Sequence, residues 1–219
     1  MEDDRDTRRL MKKKLLVIVV AGLPGAGKSI VGEVAERIGY IRLVMGDVVR
    51  GEAQKRGLKP TREVLSMIAR DLRERYGDAV IAERLVTKIS VLFEEKEGGL
   101  KIIIDGVRSL SEVKCFQENI IHRVTRNSSI KILAIHASPR TRYHRLIARG
   151  RGDDPKNWEE FCRRDFEELS LGLGDVIALA DYMIINENKD LEALKKEIED
   201  VLIKIEREES FEDTSFSRN

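Results

Sequence analysis

A chain that places Gly22-Leu23-Pro24-Gly25-Ala26-Gly27-Lys28-Ser29 between an apolar run and an amphipathic stretch has few folds open to it. The octet satisfies the phosphate-loop pattern G-x-x-x-x-G-K-[ST] at every fixed position. Leu15–Ala21 ahead of it reads as a buried strand, and Ile30–Ile38 behind it, with Val31, Val34, Ala35 and Ile38 on one face, reads as a helix. Strand, glycine-rich turn and helix N-terminus together make a concavity of inward-pointing N–H groups that the helix dipole reinforces. Such a concavity holds phosphates. Gly22, Gly25 and Gly27 let the backbone curl, Leu23, Pro24 and Ala26 complete the loop, Lys28 reaches the β- and γ-phosphates, and the Ser29 hydroxyl is a ligand for Mg²⁺.

The 219 residues suffice for one α/β domain with a sizeable core and hardly for two. A net charge of +1 creates no overall field toward nucleic acid or a membrane surface. Charged residues are 36% of the chain and aromatics 5%, which predicts a heavily ion-paired surface of the kind enriched in thermophile proteins. Cys115 and Cys162 lack metal or C-x-x-C spacing, read as buried structural thiols, and fit a reducing cytoplasm. No apolar run approaches a membrane span, and the charged stretch Met1–Lys14 has the features of neither a signal peptide nor an anchor.

Residues 1–14 read as a flexible arm, 15–205 as a single domain and 206–219 as a flexible tail. Within the domain, Tyr40–Met45 is a second strand that delivers Asp47 and Arg50 to the start of a helix facing the carboxyl-end crevice. Two helices follow, Thr61–Tyr76 and Asp78–Phe93. They make residues of about 47–93 a helical insert longer than a simple crossover requires. Lys101–Ile104 ends in Asp105, a carboxylate at the sheet edge suited to the Mg²⁺ water shell, with Arg108 close behind. Ile130–His136 and Leu179–Asn186 complete five strands that alternate with helices, so the sheet is parallel and covered on both faces. His122, His136 and His144 have no metal-ligand spacing.

The segment of about 140–165 is rich in arginine, with Arg142, Arg145 and Arg149 at helical spacing and Arg151, Arg163 and Arg164 beyond. Planar guanidinium forks in this number suggest phosphate recognition by a lid. Aromatic residues for base stacking are scarce beside them, which disfavours a nucleic-acid surface. The guanine-reading pattern N-K-x-D is missing, since Asn188-Lys189 is followed directly by Asp190. The chemistry left is transfer of a γ-phosphoryl group to a small acceptor.

Four motifs occur in the order found in adenylate kinases: the phosphate loop, Gly46-Asp47-Val48-Val49-Arg50, Asp105-Gly106-Val107-Arg108 and Arg151-Gly152-Asp153-Asp154. The ending Ala180-Asp181-Tyr182-Met183-Ile184-Ile185-Asn186 looks like the last strand and adenine loop of dephospho-coenzyme A kinases. Over nearly its whole length the chain resembles an archaeal family of adenylate kinase-related proteins. The resemblance implies a three-layer phosphate-loop sandwich with ATP and Mg²⁺, Ser29 and Asp105 at the metal, and Asn186 beside the nucleotide. It implies Arg50 and Arg108 on the acceptor, Arg149, Arg151 and Arg163 or Arg164 from the lid, and Asp47 as base or as organiser of Mg²⁺ water. The acceptor it suggests is a nucleoside monophosphate, with a dephospho-coenzyme A-type hydroxyl as the alternative; a slow ATPase acting on a macromolecular partner is a third reading. Here Arg108 comes one residue earlier than in the adenylate kinase motif, and the proline of that motif is missing.

Overall fold

A computed structural model describes residues 13–152 and 154–215, with side chains up to residue 209. Most of the expected arm, residues 1–12, together with Asp153 and residues 216–219, lies outside the described residues.

The strands are β1 (Leu15–Ala21), β2 (Ile41–Val44), β3 (Leu100–Asp105), β4 (Ser128–His136) and β5 (Tyr182–Ile185). They form one parallel sheet in the order β2-β3-β1-β4-β5. All seven residues of β1, a central strand, are buried, which explains why its sequence is continuously apolar rather than alternating. The helices are α1 (Lys28–Arg37), α2 (Met45–Lys55), α3 (Arg62–Tyr76), α4 (Val80–Glu95), α5 (Leu110–Arg123), α6 (Pro139–Arg149), α7 (Trp158–Ser170), α8 (Leu173–Ala178) and α9 (Leu191–Ser215).

Two apolar clusters flank the sheet and make the third layer. On one face Val17, Val19, Ile102 and Ile104 meet α2, α3, α4, α5 and α8 through Val49, Leu72, Ile89, Phe116 and Val176. On the other, Ile18, Val20, Ile103 and Leu133 meet α1 and α9 through Val31, Val34, Ile198 and Leu202. Each helix supplies one apolar stripe, as a two-sided α/β sandwich requires.

Several boundaries differ from the sequence expectation. Strand β2 stops at Val44, because Met45 already starts α2 and is buried there. The fifth strand is four residues rather than eight, since Leu179 caps α8, the Ala180 N–H turns back to the Ile177 carbonyl, and the ladder to β4 runs only from Tyr182 to Ile185. The tail expected from residue 206 onward is helical to Ser215. Its anchor is polar and so escapes a hydrophobic-period reading: Glu209 is buried, pairs with Lys131 at 2.8 Å, and its carbonyl accepts a hydrogen bond from Lys14 Nζ at 2.8 Å. Lys14 is thereby tied down together with Lys13, which sits 4.4 Å over the Phe93 ring. Cys115 is buried as expected, whereas Cys162 is only partly covered.

The expected ion-paired surface is present on the helical insert. Arg56, which caps α2, bridges Glu52 of that helix and Asp71 on α3, at 2.9 and 2.7 Å, and Arg84 from α4 reaches Glu52 at 3.0 Å. These pairs join all three insert helices. Among the described residues no helix is long and apolar enough to cross a membrane.

Candidate functional site

The topology brings the site together at the carboxyl end of the sheet. Because β3 and β4 both border β1 in parallel register, Asp105 lies opposite Val20 and Ala134 opposite Ala21, at the mouth of the phosphate loop. The chain after β5 arrives at the same edge, where the Asn186 N–H donates to the His136 carbonyl at 2.7 Å.

Between Ala21 and Lys28 the chain turns on a hydrogen bond from the Ala26 N–H to the Leu23 carbonyl at 3.1 Å. It enters α1 through Gly27 at φ 118°, a conformation only glycine adopts readily. A Cβ at Gly27 would also stand 2.8 Å from Asn186 Nδ2. Lys28 curls onto the loop, donating to the Gly22 carbonyl at 2.5 Å. Desolvation pushes its ammonium pKa down, against the opposing pull of Asp105 and Glu168. An ammonium so placed stands within reach of the loop's concavity.

A cavity of about 550 Å³ opens over this loop, in the size range of small-ligand sites. Of the residues singled out from sequence, Gly22, Pro24, Gly25, Gly27, Lys28, Ser29, Asp105, Arg108, Arg149, Arg151, Arg164 and Asn186 line it. Leu23 and Ala26 instead pack into the two apolar clusters and brace the loop from behind. None of the three histidines lines the cavity.

Asp47 and Arg50 are not brought to the cavity wall. Arg50 donates through Nε and Nη2 to one Asp47 oxygen, at 2.9 and 2.5 Å, and both side chains are about half exposed on α2. One turn of helix suffices for this pairing, and sequence spacing alone could not distinguish it from two groups aimed at a ligand.

Asn186 acts on the loop itself: its Nδ2 donates to the Ala26 carbonyl at 2.8 Å and its Oδ1 accepts from Arg145 Nη2 at 3.1 Å. Arg108 is oriented from two directions. Its backbone N–H donates to the buried Glu112 carboxylate at 2.8 Å, and its Nε pairs with Glu168 at 3.1 Å. Glu112 also pairs with Arg73 of α3 at 3.1 Å, so the insert and the loop after β3 share one buried anion.

The lid arginines are gathered by Asp154, whose carboxylate accepts from Arg149 Nε at 2.9 Å and from the Arg151 backbone N–H at 3.0 Å, with Arg164 at 3.6 Å. The Arg149 guanidinium holds the Asp154 carboxyl below the usual carboxylate range. A depressed folded pKa means that this contribution is complete above the ordinary carboxylate pKa and is lost as pH falls through the depressed value. We therefore expect an acid transition in the fluorescence of Trp158, the only tryptophan in the chain and the first residue of α7, below roughly pH 4. In Asp154→Asn that step should disappear; its persistence unchanged would assign it to another carboxyl.

Arg142, expected among the phosphate-binding arginines, is buried and structural. It forks onto Asp165 of α7 with a 2.7 Å contact, donates to the Ala137 and Pro24 carbonyls at 3.0 and 3.2 Å, and lies 5.0 Å over Phe161. Arg145, read from sequence as part of the helical arginine series, also lines the cavity. Two groups had escaped the sequence reading: Glu168, which lines the cavity, had no distinguishing pattern, and Arg42 showed itself only as a charge inside the short apolar strand β2.

The oxygen donors fit Mg²⁺. Ser29 and Asp105 offer a hydroxyl and a carboxylate in one cavity. Such a sparse set suits an ion that keeps water and shares phosphate oxygens.

The AAA domain family model matches residues 21–162. A UPF0200 protein of Hyperthermus butylicus is 48% identical over 172 residues, covering 78% of this chain and 86% of that relative. The chain belongs to the UPF0200 family. A second member, from Pyrococcus abyssi, is 40% identical over 190 residues and is covered over 97% of its length. Among solved structures, this UPF0200 protein is similar to TT1252 from Thermus thermophilus, with a TM-score of 0.57 at 16% identity, covering 88% of this chain and 98% of that one. It is also similar to a gluconokinase from Sinorhizobium meliloti, with a TM-score of 0.51 at 18% identity, covering 95% and 99%. At these identities the likeness establishes a phosphate-loop kinase-like fold.

Proposed function

We propose that this UPF0200 protein is an ATP-binding, Mg²⁺-dependent phosphotransferase that moves the γ-phosphoryl group to a small acceptor, a nucleoside monophosphate. The observation that carries the reading is one cavity in which Lys28, Ser29 and Asp105 converge with Arg108, Arg149, Arg151 and Arg164. Phosphoryl transfer asks for positioning and charge neutralisation more than for covalent chemistry, and this set supplies both.

In this reading the loop N–H groups between Gly22 and Ser29 take the donor phosphates, and Lys28 leaves the Gly22 carbonyl for the β- and γ-oxygens. Ser29 and Asp105 would hold Mg²⁺, which would supply neutralisation of the charge that develops on the phosphates. Arg149, Arg151 and Arg164, preorganised on Asp154, then cover the transferring group and exclude water. Arg108 meets the acceptor once Glu168 yields its place. A phosphate acceptor would need no base.

A hydroxyl acceptor is the second reading, and two observations favour it. Arg50, expected on an acceptor phosphate, is engaged by Asp47 outside the cavity wall, while the carboxylate of Glu168 stands inside that wall. A carboxylate there suits a hydroxyl proton better than a phosphate dianion.

The deciding assay is ADP formation from Mg-ATP against nucleoside monophosphates, dephospho-coenzyme A and no acceptor. Strong stimulation by one nucleoside monophosphate is the expected result. Stimulation by the hydroxyl compound alone would select the second reading, and flat slow hydrolysis would instead support an ATPase serving a macromolecular partner. In the same assay Arg108→Ala, which removes the cavity arginine placed on the acceptor, should raise the acceptor KM by about ten- to a hundredfold with ATP binding intact, whereas Arg50→Ala, outside the cavity wall, should leave it nearly unchanged. Equal loss of acceptor and ATP binding in Arg108→Ala would remove Arg108 from the acceptor.

A further inference from the structure

Asp105 has a partner that its motif does not foreshadow. Arg42 of β2 donates from Nη2 to Asp105 Oδ2 at 2.8 Å, with Arg42 21% and Asp105 13% exposed at the side chain. Glu36 of α1 stands 3.9 Å from Nη1 on the other side of the guanidinium. The neighbouring β2–β3 register, Arg42 opposite Ile103 and Val44 opposite Asp105, sets the donor two residues short of the carboxylate it reaches.

Two independent features show that the fold accommodates this contact at a cost. The first is Gly32, buried in the middle of α1, where glycine weakens a helix. A Cβ at Gly32 would stand 2.4 Å from Arg42 Nε and 2.5 Å from Cζ, so the guanidinium fills the space a side chain would take. The second is that Arg42 Nε is buried without a hydrogen-bond partner. Leaving a buried donor unsatisfied is unfavourable, and a simple surface ion pair would not need it.

We propose that Arg42 is a positioning residue for Asp105: it holds Oδ2 from behind the sheet edge so that the carboxylate meets the metal's water shell in one fixed orientation. The planar guanidinium is suited to this, because its hydrogen bond fixes direction as well as distance. It does so without entering the cavity, since Arg42 does not line it. The inference rests on the Mg²⁺-dependent reading of the site, and it concerns metal-linked binding rather than the identity of the acceptor.

The test is calorimetric titration of ADP with Mg²⁺ and with EDTA, which reads the metal-linked part of binding separately from turnover. Arg42→Met should lose about tenfold or more of the tightening that Mg²⁺ gives while ADP binding in EDTA stays as in the wild type. Arg42→Lys should recover part of it. Gly32→Ala, which keeps every charge and displaces the guanidinium, should reproduce the Arg42→Met loss and guards against a folding artefact. The double variant Arg42→Met/Asp105→Asn should be no worse than Asp105→Asn alone, since both act through one carboxylate. Equal weakening with and without Mg²⁺, additive losses in the double variant, or an unchanged Mg²⁺ effect in Arg42→Met would overturn the proposal. If Asp105→Asn itself leaves the Mg²⁺ effect intact, the metal role of Asp105 falls, and the role of Arg42 falls with it.

Discussion

Replacing Lys28 by Ala is expected to lower ADP formation by about 10²–10³-fold or more, the scale set by losing one preorganised charge at a developing anion. The fold should survive the change. Lys28 donates to backbone carbonyls of its own loop, Gly22 at 2.5 Å and Leu23 at 3.4 Å, and carries no carboxylate partner that its removal would orphan. Desolvation already disfavours its charge, so the thermal midpoint should stay or rise slightly. Activity measured alongside thermal unfolding separates the two effects. A variant that unfolds in parallel with its loss of activity would make Lys28 a structural residue and remove it from the phosphate site.

Arg142→Ala should fail in the opposite way, by destabilising the molecule. The guanidinium is 2% exposed at the side chain and its partner Asp165 only 14%. Truncation leaves a largely buried carboxylate and the Pro24 and Ala137 carbonyls without their donor, and opens space beneath Phe161. Breaking a buried pair from one side costs about 3–5 kcal/mol. At about 2–4 °C per kcal/mol for a domain of this size, the midpoint should fall by roughly 6–20 °C. Arg62→Ala is the internal control, because Arg62 joins α3 to Glu167 of α7 through an exposed pair at 3.0 Å. Exposed pairs contribute about 0–1 kcal/mol. Circular dichroism melts of both variants decide the matter; a loss for Arg142→Ala as small as that of the control would contradict the buried-hub assignment. Because Arg142 links Pro24 of the phosphate loop to α7, residual folded protein should also show altered Trp158 fluorescence.

The arginine series illustrates where reading a sequence stops. Helical spacing correctly placed Arg142, Arg145 and Arg149 on one helix, yet the three have different tasks. Arg142 is turned into the protein onto Asp165, Arg145 braces Asn186, and Arg149 borders the cavity on Asp154. Period says which side chains share a face, but the partners of Arg142 and Arg145 come from α7 and from the loop after β5, elements distant in the chain, and that of Arg149 from the lid loop beyond its own helix. Asp47 and Arg50 carry the same lesson: their spacing put them on one face, where they satisfy each other.

Local chemistry was readable wherever the backbone itself performs the task. The phosphate loop needs glycine at positive φ, a strand to enter and a helix N-terminus to leave, and all three are encoded within the segment Leu15–Ile38. The alternation of apolar runs and amphipathic stretches likewise determined a parallel, two-sided sheet, since only that arrangement buries runs such as Leu15–Ala21 on both faces. Strand order, by contrast, arises from which helices cross which face. That order alone sets Asp105 beside the loop, lets Arg42 reach it from β2 past Gly32, and brings Glu168 of α7 to Arg108. Residues close in sequence thus determined the phosphate-binding element, and contacts such as Arg142–Asp165, 23 positions apart, and Arg42–Asp105, 63 apart, decided how several of the charges around it are held. The physical reason is that a charge in a fold is defined by its partners, and those partners were chosen by packing.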